Sequence, residues 1–373
     1  MIIFLTSAQE HQASNAGTNS IHQYHDLLNE FNYETCIHSI RRSENMNTLI
    51  NLYNRAKISE LWITRPEFLK YIPFLRTYFT NARIVYLSHD LHYLRFFRQF
   101  QIELNTRALL KSVYYYYKER SAFQTVDAVI TFSPAERSKI LSMADRALVT
   151  AIPLQFYKPA DLEKRATAFF RERPTIYFIG SPNHQPNVDA AQILVTRIMP
   201  QIWRTNPDCK LTLIGVGANG SLNPTETRVS QLGQLIDLKT FLRTPLVLCA
   251  PLRFGAGVKG KLIEAWANSI PVITTPIGIE GTYARPGLEV ECGSTLQEIT
   301  KRTLHVLEKP SYRVQLTLAG LALVTRHYSK HLALQCILSH LHHNTPNQTF
   351  KNRNNMTIPD KPFNPRRRKN SVQ

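Results

Sequence analysis

The sequence of 373 residues lacks the patterns that mark several classes of protein. Its five cysteines are far apart, and no pair has the Cys-x-x-Cys spacing of a zinc or redox site. We therefore expect reduced thiols, no metal site and no disulfide framework. The chain also has no run of about 18 apolar residues, so a membrane-spanning helix is not expected. Residues 1–7 are apolar but have no basic segment before them, which favours a first strand of a cytoplasmic protein over a signal peptide.

Acidic residues are scarce. Asp and Glu number 27 against 45 Lys and Arg, which gives a net charge of +18. Such an excess predicts an anionic partner: nucleic acid, a phosphorylated small molecule or an acidic membrane. Residues 351–373 alone hold seven basic residues and one acidic residue. Because this end has few apolar side chains and three prolines, we predict a disordered basic tail over residues 346–373.

Short apolar runs alternate with helix-length amphipathic stretches along the rest of the chain. This rhythm is typical of an α/β fold with parallel sheets covered by helices on both faces. The alternation occurs twice, which predicts two Rossmann-like domains that face each other across a cleft. The predicted strands cover residues 2–7, 60–64, 83–88, 127–133, 175–180, 210–215, 246–250 and 271–275.

The predicted domain boundaries follow from the proline-containing segment near residues 152–174. Residues 1–160 form an N-terminal Rossmann-like domain, residues 161–174 a linker, and residues 175–330 a C-terminal Rossmann-like domain. Residues 331–345 are predicted to form a helix that packs back on the N-terminal domain. Ligands of open α/β sheets bind at the carboxyl ends of strands, so the chemistry is expected in the loops that follow them.

The strongest local signal is the loop Arg253-Phe-Gly-Ala-Gly-Val-Lys-Gly-Lys, which follows a strand and enters a helix that contains Glu264. Its glycines allow a ligand to approach the backbone, and N–H groups at a helix start favour phosphate. Lys259 and Lys261 add positive charge. The alternative is a glycine-rich turn with solvated lysines and an i,i+3 pair between Lys261 and Glu264. The loop is not a Walker loop, because GxxxxGK[ST] is absent.

This stretch resembles the donor-binding segment of GT-B fold glycosyltransferases, in the large retaining group that is called family 4 or group 1. Glu264-Ala265, followed by Ile270-Pro-Val, matches the second half of the pattern Glu, seven residues, Glu. The first carboxylate, which contacts the donor sugar in those families, would fall at Ala256 and is missing. The loop RxGAGVKGK is similar instead to that of the bacterial polysaccharide-type branch.

The resemblance extends over residues 175–335, including the segments FIGSPNHQPNVDA, LTLIGVG and LIDL. It implies a catalytic role for Lys261 and Glu264. It implies a donor-binding role for a larger set, which comprises Gly180, Ser181, Asn183, Asn187, Gly215, Arg253, Phe254, Gly255, Ala256, Gly257, Val258 and Lys259.

In the first half, His89 and Asp90 directly follow a predicted strand. Related enzymes have a similar segment that faces the sugar, so His89 is our candidate for a catalytic contact. Asp90, His92 and Gly17 are candidates for the acceptor side. The alternative is a histidine that caps or packs at the end of a buried strand.

Residues 93–120 interleave aromatic side chains with Arg and Lys. Phe96, Phe97, Phe100 and the Tyr114–Tyr117 run could rest on a membrane whose anionic head groups meet the basic residues. Alternatively, the aromatics pack inward from a core helix. A single-stranded nucleic acid also suits such a pattern, but no RNA-binding motif accompanies it.

The resemblance implies a hexosyltransferase that moves a sugar from a UDP- or GDP-sugar to a hydroxyl of a glycan or lipid-linked acceptor. Retention of configuration, independence from metal ions and a place in surface polysaccharide synthesis are implied as well. No cofactor is expected besides the nucleotide-sugar co-substrate, and no nucleic acid partner. The alternatives are a degenerate GT-B binding or regulatory protein, and a nucleotide-sugar hydrolase or epimerase on the same fold.

Overall fold

The computed structural model describes residues 1–7, 16–40, 47–144, 147–165, 170, 172–216, 226–233 and 238–342. The predicted tail over 346–373, residue 217 of the LTLIGVG segment and residues 235–237 of the LIDL segment lie outside this part of the chain.

The first half of the chain forms a parallel six-stranded sheet with the order β2-β1-β3-β4-β5-β6. Its strands are β1 Ile2–Ser7, β2 Thr35–Ile40, β3 Glu60–Ile63, β4 Arg83–Ser88, β5 Ala128–Thr131 and β6 Leu148–Ala151. Its helices are α1 Ala16–Glu30, α2 Asn47–Leu52, α3 Ile72–Tyr78, α4 His92–Glu103, α5 Thr106–Thr125 and α6 Pro134–Leu141.

The second half forms another parallel six-stranded sheet, with the order β12-β11-β10-β7-β8-β9. Its strands are β7 Thr175–Gly180, β8 Leu211–Gly215, β9 Val229–Leu232, β10 Leu246–Ala250, β11 Val272–Thr274 and β12 Glu291–Cys292. Its helices are α7 Gln185–Ile193, α8 Met199–Ile202, α9 Leu238–Leu242, α10 Gly260–Ala267, α11 Pro276–Ile279, α12 Leu296–Glu308, α13 Pro310–His327 and α14 Lys330–His342. A π-helical turn, Leu194–Ile198, joins α7 to α8.

The predicted fold class is confirmed, and each strand predicted from the sequence is present. The prediction missed β2, β6, β9 and β12, which are the four edge strands of the two sheets. Residues of an edge strand are only partly covered, as the half-buried side chains of β2 show. Such strands lack the continuous apolar run that identifies a central strand in a parallel sheet.

Helix α14 returns to the first half of the chain. The backbone of Tyr157 pairs with Tyr328 and Lys330 just before α14 begins. The Thr150 hydroxyl, on β6, lies 3.4 Å from Nδ1 of the buried His340 on α14. The two halves of the chain are therefore held together at a second place besides the connection near residue 160.

Helix α13 crosses α10 at Gly320, where the helices approach closely. A Cβ at this position would lie 2.5 Å from Cδ1 of Trp266, whose indole is fully buried and donates to the Glu289 carbonyl at 3.0 Å. Glycine is therefore required here by space and not by backbone conformation.

We expect Gly320→Ala to lower the free energy of unfolding by about 1–3 kcal/mol, because the methyl group overpacks the helix contact. An ordinary Gly→Ala change inside a helix acts in the opposite direction, since alanine is the better helix former. Chemical denaturation measures the difference, and Gln315→Ala at an exposed position of α13 is the control. An increase in stability for Gly320→Ala would contradict the packing described here.

Candidate active site in the cleft between the two sheets

The loop between β10 and α10 lies against the first half of the chain. Gly257 has a φ of +67°, and a Cβ there would lie 2.6 Å from the His89 carbonyl oxygen. A Cβ on Gly260 would lie 2.7 Å from Cβ of Ala16, at the start of α1. A side chain at Gly257 would collide with backbone, and one at Gly260 would collide with the Ala16 side chain. The structure thus brings the predicted donor loop to the carboxyl ends of β1 and β4.

The two lysines of this loop point to different partners. Lys259 Nζ donates to the Gly257 carbonyl at 2.5 Å, within the loop. Lys261 Nζ donates to Asn187 Oδ1 at 2.8 Å and lies 4.1 Å from the centre of the Phe178 ring. The expected alternative, an ion pair between Lys261 and Glu264, does not form.

Burial weakens the positive charge of both lysines. Desolvation, and then the neighbouring Lys259, lower the pKa of Lys261 to about 7. Desolvation also lowers the pKa of Lys259, against the attraction of Glu280 and Glu136. Helix α10 begins beside them without a side-chain cap, so its first N–H groups remain available to an anion. An anion with two or more charges would restore both ammonium groups.

The loop after β7 forms the other wall of the lysine site. Asn187 Nδ2 donates to the Ser181 carbonyl at 3.3 Å, and the Asn183 N–H lies 3.4 Å from Ser181 Oγ. A Cβ on Gly180 would meet Asn187 at 2.5 Å, and one on Gly215 would meet the Gly180 carbonyl at 2.5 Å. These residues therefore shape the pocket in which Lys261 lies, at the ends of β7 and β8.

Arg253 does not join the two lysines. Its guanidinium forms an ion pair with Asp189 on α7, with Nε 2.9 Å from Oδ2. Together with Gln192 and Leu296 these residues line a cavity of about 780 Å³ on the outer side of α7. The sequence grouped Arg253 with Lys259 and Lys261 because all three are close in the chain. In the structure Arg253 pairs with Asp189, whereas Lys261 contacts Asn187.

His89 lies behind the donor loop, between α1 and β5. Its Nε2 is 3.2 Å from the Gly17 carbonyl and 3.4 Å from Ser20 Oγ, and its ring is 5.0 Å from that of Phe132. Desolvation lowers its pKa to about 3, so the imidazole is neutral near pH 7. Nδ1 is buried, and the Thr64 backbone also interacts with the imidazole. Gly17 itself lies in the first turn of α1.

Asp90 and His92 belong to an ionic cluster at the start of α4. Burial opposes the charge of Asp90, but Arg95, His92, His184 and His89 outweigh it and hold the pKa of the carboxyl well below its usual range. His92 Nδ1 lies 3.3 Å from Asp90 and 3.4 Å from Glu119. His184, from the loop after β7, also acts electrostatically on Asp90, and burial lowers the pKa of its own imidazole to about 4. Asp90 is thus ionised at the point where the two halves meet.

The remaining predicted site residues differ in environment. Glu264 is largely buried and burial raises its pKa, but its carboxyl forms no hydrogen bond with a described residue. Phe254 is completely buried and anchors the loop. Ala256 packs against the core of the first half, whereas Val258 packs against that of the second. Gly255 has a φ of +146°, a conformation that favours glycine.

Three residues that the sequence did not single out connect the halves. Arg98 on α4 donates to the Gly255 carbonyl at 2.7 Å and binds Glu280 with both terminal nitrogens, at 2.5 and 2.8 Å. Glu136 on α6 accepts from the Gly257 N–H at 2.6 Å. Arg98 was visible only as one of many basic residues, and Glu136 only as part of a helix start.

Residues 173–309 match the family model that is described as "Glycosyl transferases group 1". A curated relative, an uncharacterised 44.6 kDa protein from the cps region of Klebsiella pneumoniae, is 29% identical over 122 residues, which are 30% of this chain and 31% of the relative. The chain therefore matches about a third of that relative's length.

The whole fold is similar to solved glycosyltransferases. A sucrose-phosphate synthase from Thermosynechococcus elongatus has a TM-score of 0.69 at 16% identity, over 91% of this chain and 98% of that one. HepE from Anabaena, in complex with UDP-glucose, has a TM-score of 0.62 at 13% identity, over 91% of this chain and 99% of HepE. TarM from S. aureus, with UDP and α-GlcNAc-glycerol bound, has a TM-score of 0.63 at 15% identity, over 79% of this chain and 57% of TarM. The predicted GT-B architecture is confirmed, and so is the group 1 resemblance.

No group of three or more His, Cys, Asp or Glu side chains in the described part of the chain is arranged to hold a metal ion. None of its helices is both long and apolar enough to cross a bilayer.

The lysine site predicts that diphosphate binding takes up protons. Pyrophosphate raises the pKa of Lys261 from about 7, so affinity falls as the pH rises above this value. Calorimetry in buffers of different ionisation enthalpy measures the proton uptake. We expect Lys261→Met to weaken binding about tenfold and to reduce the uptake, whereas Lys301→Met, at an exposed position of α12, changes neither. If Lys261→Met binds pyrophosphate as tightly as the native chain does, Lys261 does not contact the anion.

Proposed function

We propose that the protein transfers a hexose from a nucleotide-diphosphate sugar, either a UDP- or a GDP-sugar, to a hydroxyl of a glycan or lipid-linked acceptor. The observation that carries this proposal is the junction of the group 1 donor loop with His89 and Asp90 of the other half. A diphosphate at Lys259 and Lys261 would place its sugar toward that junction. The complexes of HepE with UDP-glucose and of TarM with UDP support a nucleotide-sugar donor.

The proposed chemistry relies on electrostatic stabilisation of the leaving diphosphate. Lys259, Lys261 and the first N–H groups of α10 would bind it in a buried site, where charge interactions are strong and little reorganisation is needed. We infer that they take the place of a metal ion and that the enzyme needs no other cofactor. The neutral imidazole of His89 would donate or accept one hydrogen bond at the sugar. Glu264 would bind the ribose hydroxyls, since its carboxyl has no hydrogen-bond partner among the described residues.

We infer retention of configuration through an oxocarbenium-like transition state. In this proposal the departing diphosphate and the incoming hydroxyl lie on the same face of the sugar, because the acceptor enters from the side of Asp90 and His92. The role in surface polysaccharide synthesis rests on the relative from the Klebsiella cps region.

A panel of UDP-, GDP- and TDP-hexoses tests the function. We expect one of them to be hydrolysed slowly without an acceptor and transferred when lipid-linked or free glycans are added. Nuclear magnetic resonance of the product then gives the anomeric configuration, and the assay with a chelator tests the need for metal. Binding without turnover would favour the regulatory alternative, and hydrolysis without transfer the hydrolase. If no member of the panel is bound, the glycosyltransferase proposal is wrong.

We further propose that the protein works in the cytoplasm, on the inner face of an anionic membrane. Leu110, Val113, Tyr114 and Tyr117 follow each other at helical spacing on α5, and all four are exposed, Leu110 by 70% and Tyr117 by 66%. We call these four residues the α5 stripe. The exposed Arg107 and Lys111 flank it, which matches the charge of anionic head groups.

Helices α4 and α5 form a helical hairpin. Some of its aromatic residues fit the membrane interpretation of residues 93–120, and others fit the core-helix interpretation. Phe96 stacks on Tyr115 at 5.5 Å between α4 and α5, and Tyr93 contacts Tyr116 at the same distance. These side chains pack inside the hairpin as the core-helix alternative requires. The α5 stripe faces outward and supports the membrane interpretation.

Flotation with vesicles that contain phosphatidylglycerol tests this location. We expect the double change Leu110→Gln and Tyr117→Gln to reduce the bound fraction about tenfold, because two apolar side chains no longer enter the interface. Leu318→Gln removes a comparably exposed leucine from α13 and is the control. A variant without residues 351–373 separates the contribution of the basic tail. Equal flotation of the double variant and the control would contradict docking through the α5 stripe.

A further inference from the structure

Glu136 occupies a position that the sequence alone assigns to helix capping. Ser133 and Glu136 have the spacing of a capping box, in which the glutamate bonds back to the N–H of the serine. Half of this arrangement is present, since the Glu136 N–H donates to Ser133 Oγ at 3.2 Å. The Ser133 N–H instead donates to Thr131 Oγ1 at 3.2 Å. The Glu136 carboxyl is therefore not needed at its own helix.

This carboxyl reaches across to the donor loop. Its Oε1 accepts from the Gly257 N–H at 2.6 Å and lies 3.5 Å from the N–H of Leu91. Gly257 is the residue whose backbone also meets His89 and Asp90. One carboxyl oxygen is thus fully used to hold the loop against the first half of the chain.

The other oxygen is left without a partner. Glu136 is completely buried, and its Oε2 forms no hydrogen bond with any described residue. Leaving a buried polar atom unpaired costs free energy, so the unpaired Oε2 beside the donor loop indicates a polar ligand.

The groups around Glu136 favour the protonated form of its carboxyl. Desolvation and the nearby charge of Asp90 raise the pKa of Glu136 well above its ordinary value, against the Gly257 N–H and Lys259. The charged or titratable groups that face it are Asp90, Lys259, Glu280, Tyr93 and Arg98, and the last of these is also bound to Glu280. Because Oε1 already accepts two N–H groups, the proton belongs on Oε2, which then donates a hydrogen bond.

We propose that Glu136 is a sugar-binding residue, whose Oε2–H donates to a hydroxyl of the transferred hexose while Oε1 holds the donor loop at Gly257. The inference rests on the proposed function, since it names a contact of the same cleft. It assigns to the first half of the chain a contact with the donor sugar, next to the position where Ala256 replaces a carboxylate.

The test compares nucleotide-sugars with the same nucleotides that lack the sugar. UDP-, GDP- and TDP-glucose are titrated beside UDP, GDP and TDP against the full chain and its variants. We expect Glu136→Ala to weaken binding of the sugar nucleotide about tenfold and of the nucleoside diphosphate less than threefold. Glu136→Gln should recover most of the loss, because its amide presents the same acceptor and donor as the protonated acid.

The pH dependence separates this role from a merely structural one. The ratio of the native chain's affinity for the sugar nucleotide to that of Glu136→Gln cancels the titration of the lysines and of the ligand, which both proteins share. Between about pH 6.5 and pH 9 this ratio should fall, as Oε2 of the native chain loses its proton. Glu60→Gln, at a buried carboxyl at the amino end of β3, is the control for folding.

Three results would overturn the inference. The first is equal loss of both ligand types in Glu136→Ala, which would make the residue a loop support alone. The second is failure of Glu136→Gln to recover binding while it folds like Glu60→Gln, and the third is a ratio that does not change with pH. If the native chain binds nucleoside diphosphates but no nucleotide-sugar, the proposed function fails first and this inference with it.

Discussion

The contact between the Gly257 backbone and the ends of β4 and α6 is the interaction on which the rest of the site depends. The approach is so close that a side chain at residue 257 would collide with the His89 carbonyl, which makes glycine necessary there. A single N–H of this loop is bound by a carboxyl from the other half of the chain. Because this junction fixes the loop, it also fixes the lysines that follow it and the start of α10.

Burial at the junction sets the charge of its groups. Desolvation moves Lys259, Lys261 and Glu136 toward their neutral forms, whereas Asp90 keeps its charge through its basic neighbours. The cleft of the free protein thus carries less positive charge than its lysines suggest. An anionic ligand reverses this balance locally, since it stabilises the ammonium forms. The net charge of +18 therefore says little about the site itself.

Sequence reasoning succeeded where the signal is local and failed where partners come from far along the chain. Central strands such as β4 and β10 are buried on both faces and read as apolar runs, but the edge strands do not. The glycines and lysines of the donor loop were grouped because they are neighbours in the sequence. Residues of one short loop also remain neighbours in the structure. Adjacency does not show the ion pair that Arg253 forms with Asp189.

The sequence by itself determined the α/β fold, the resemblance of residues 173–309 to group 1 glycosyltransferases and the composition of the loop between β10 and α10. These features depend on periodicity and on neighbours within about ten residues. The tertiary structure decided what faces that loop. Glu136 and Gly257 are 121 residues apart, and Arg98 and Glu280 are 182 apart, so no local pattern links them. Their pairing follows from the way in which two separately formed sheets pack at their carboxyl ends, and this packing also decides which polar atoms remain for a ligand.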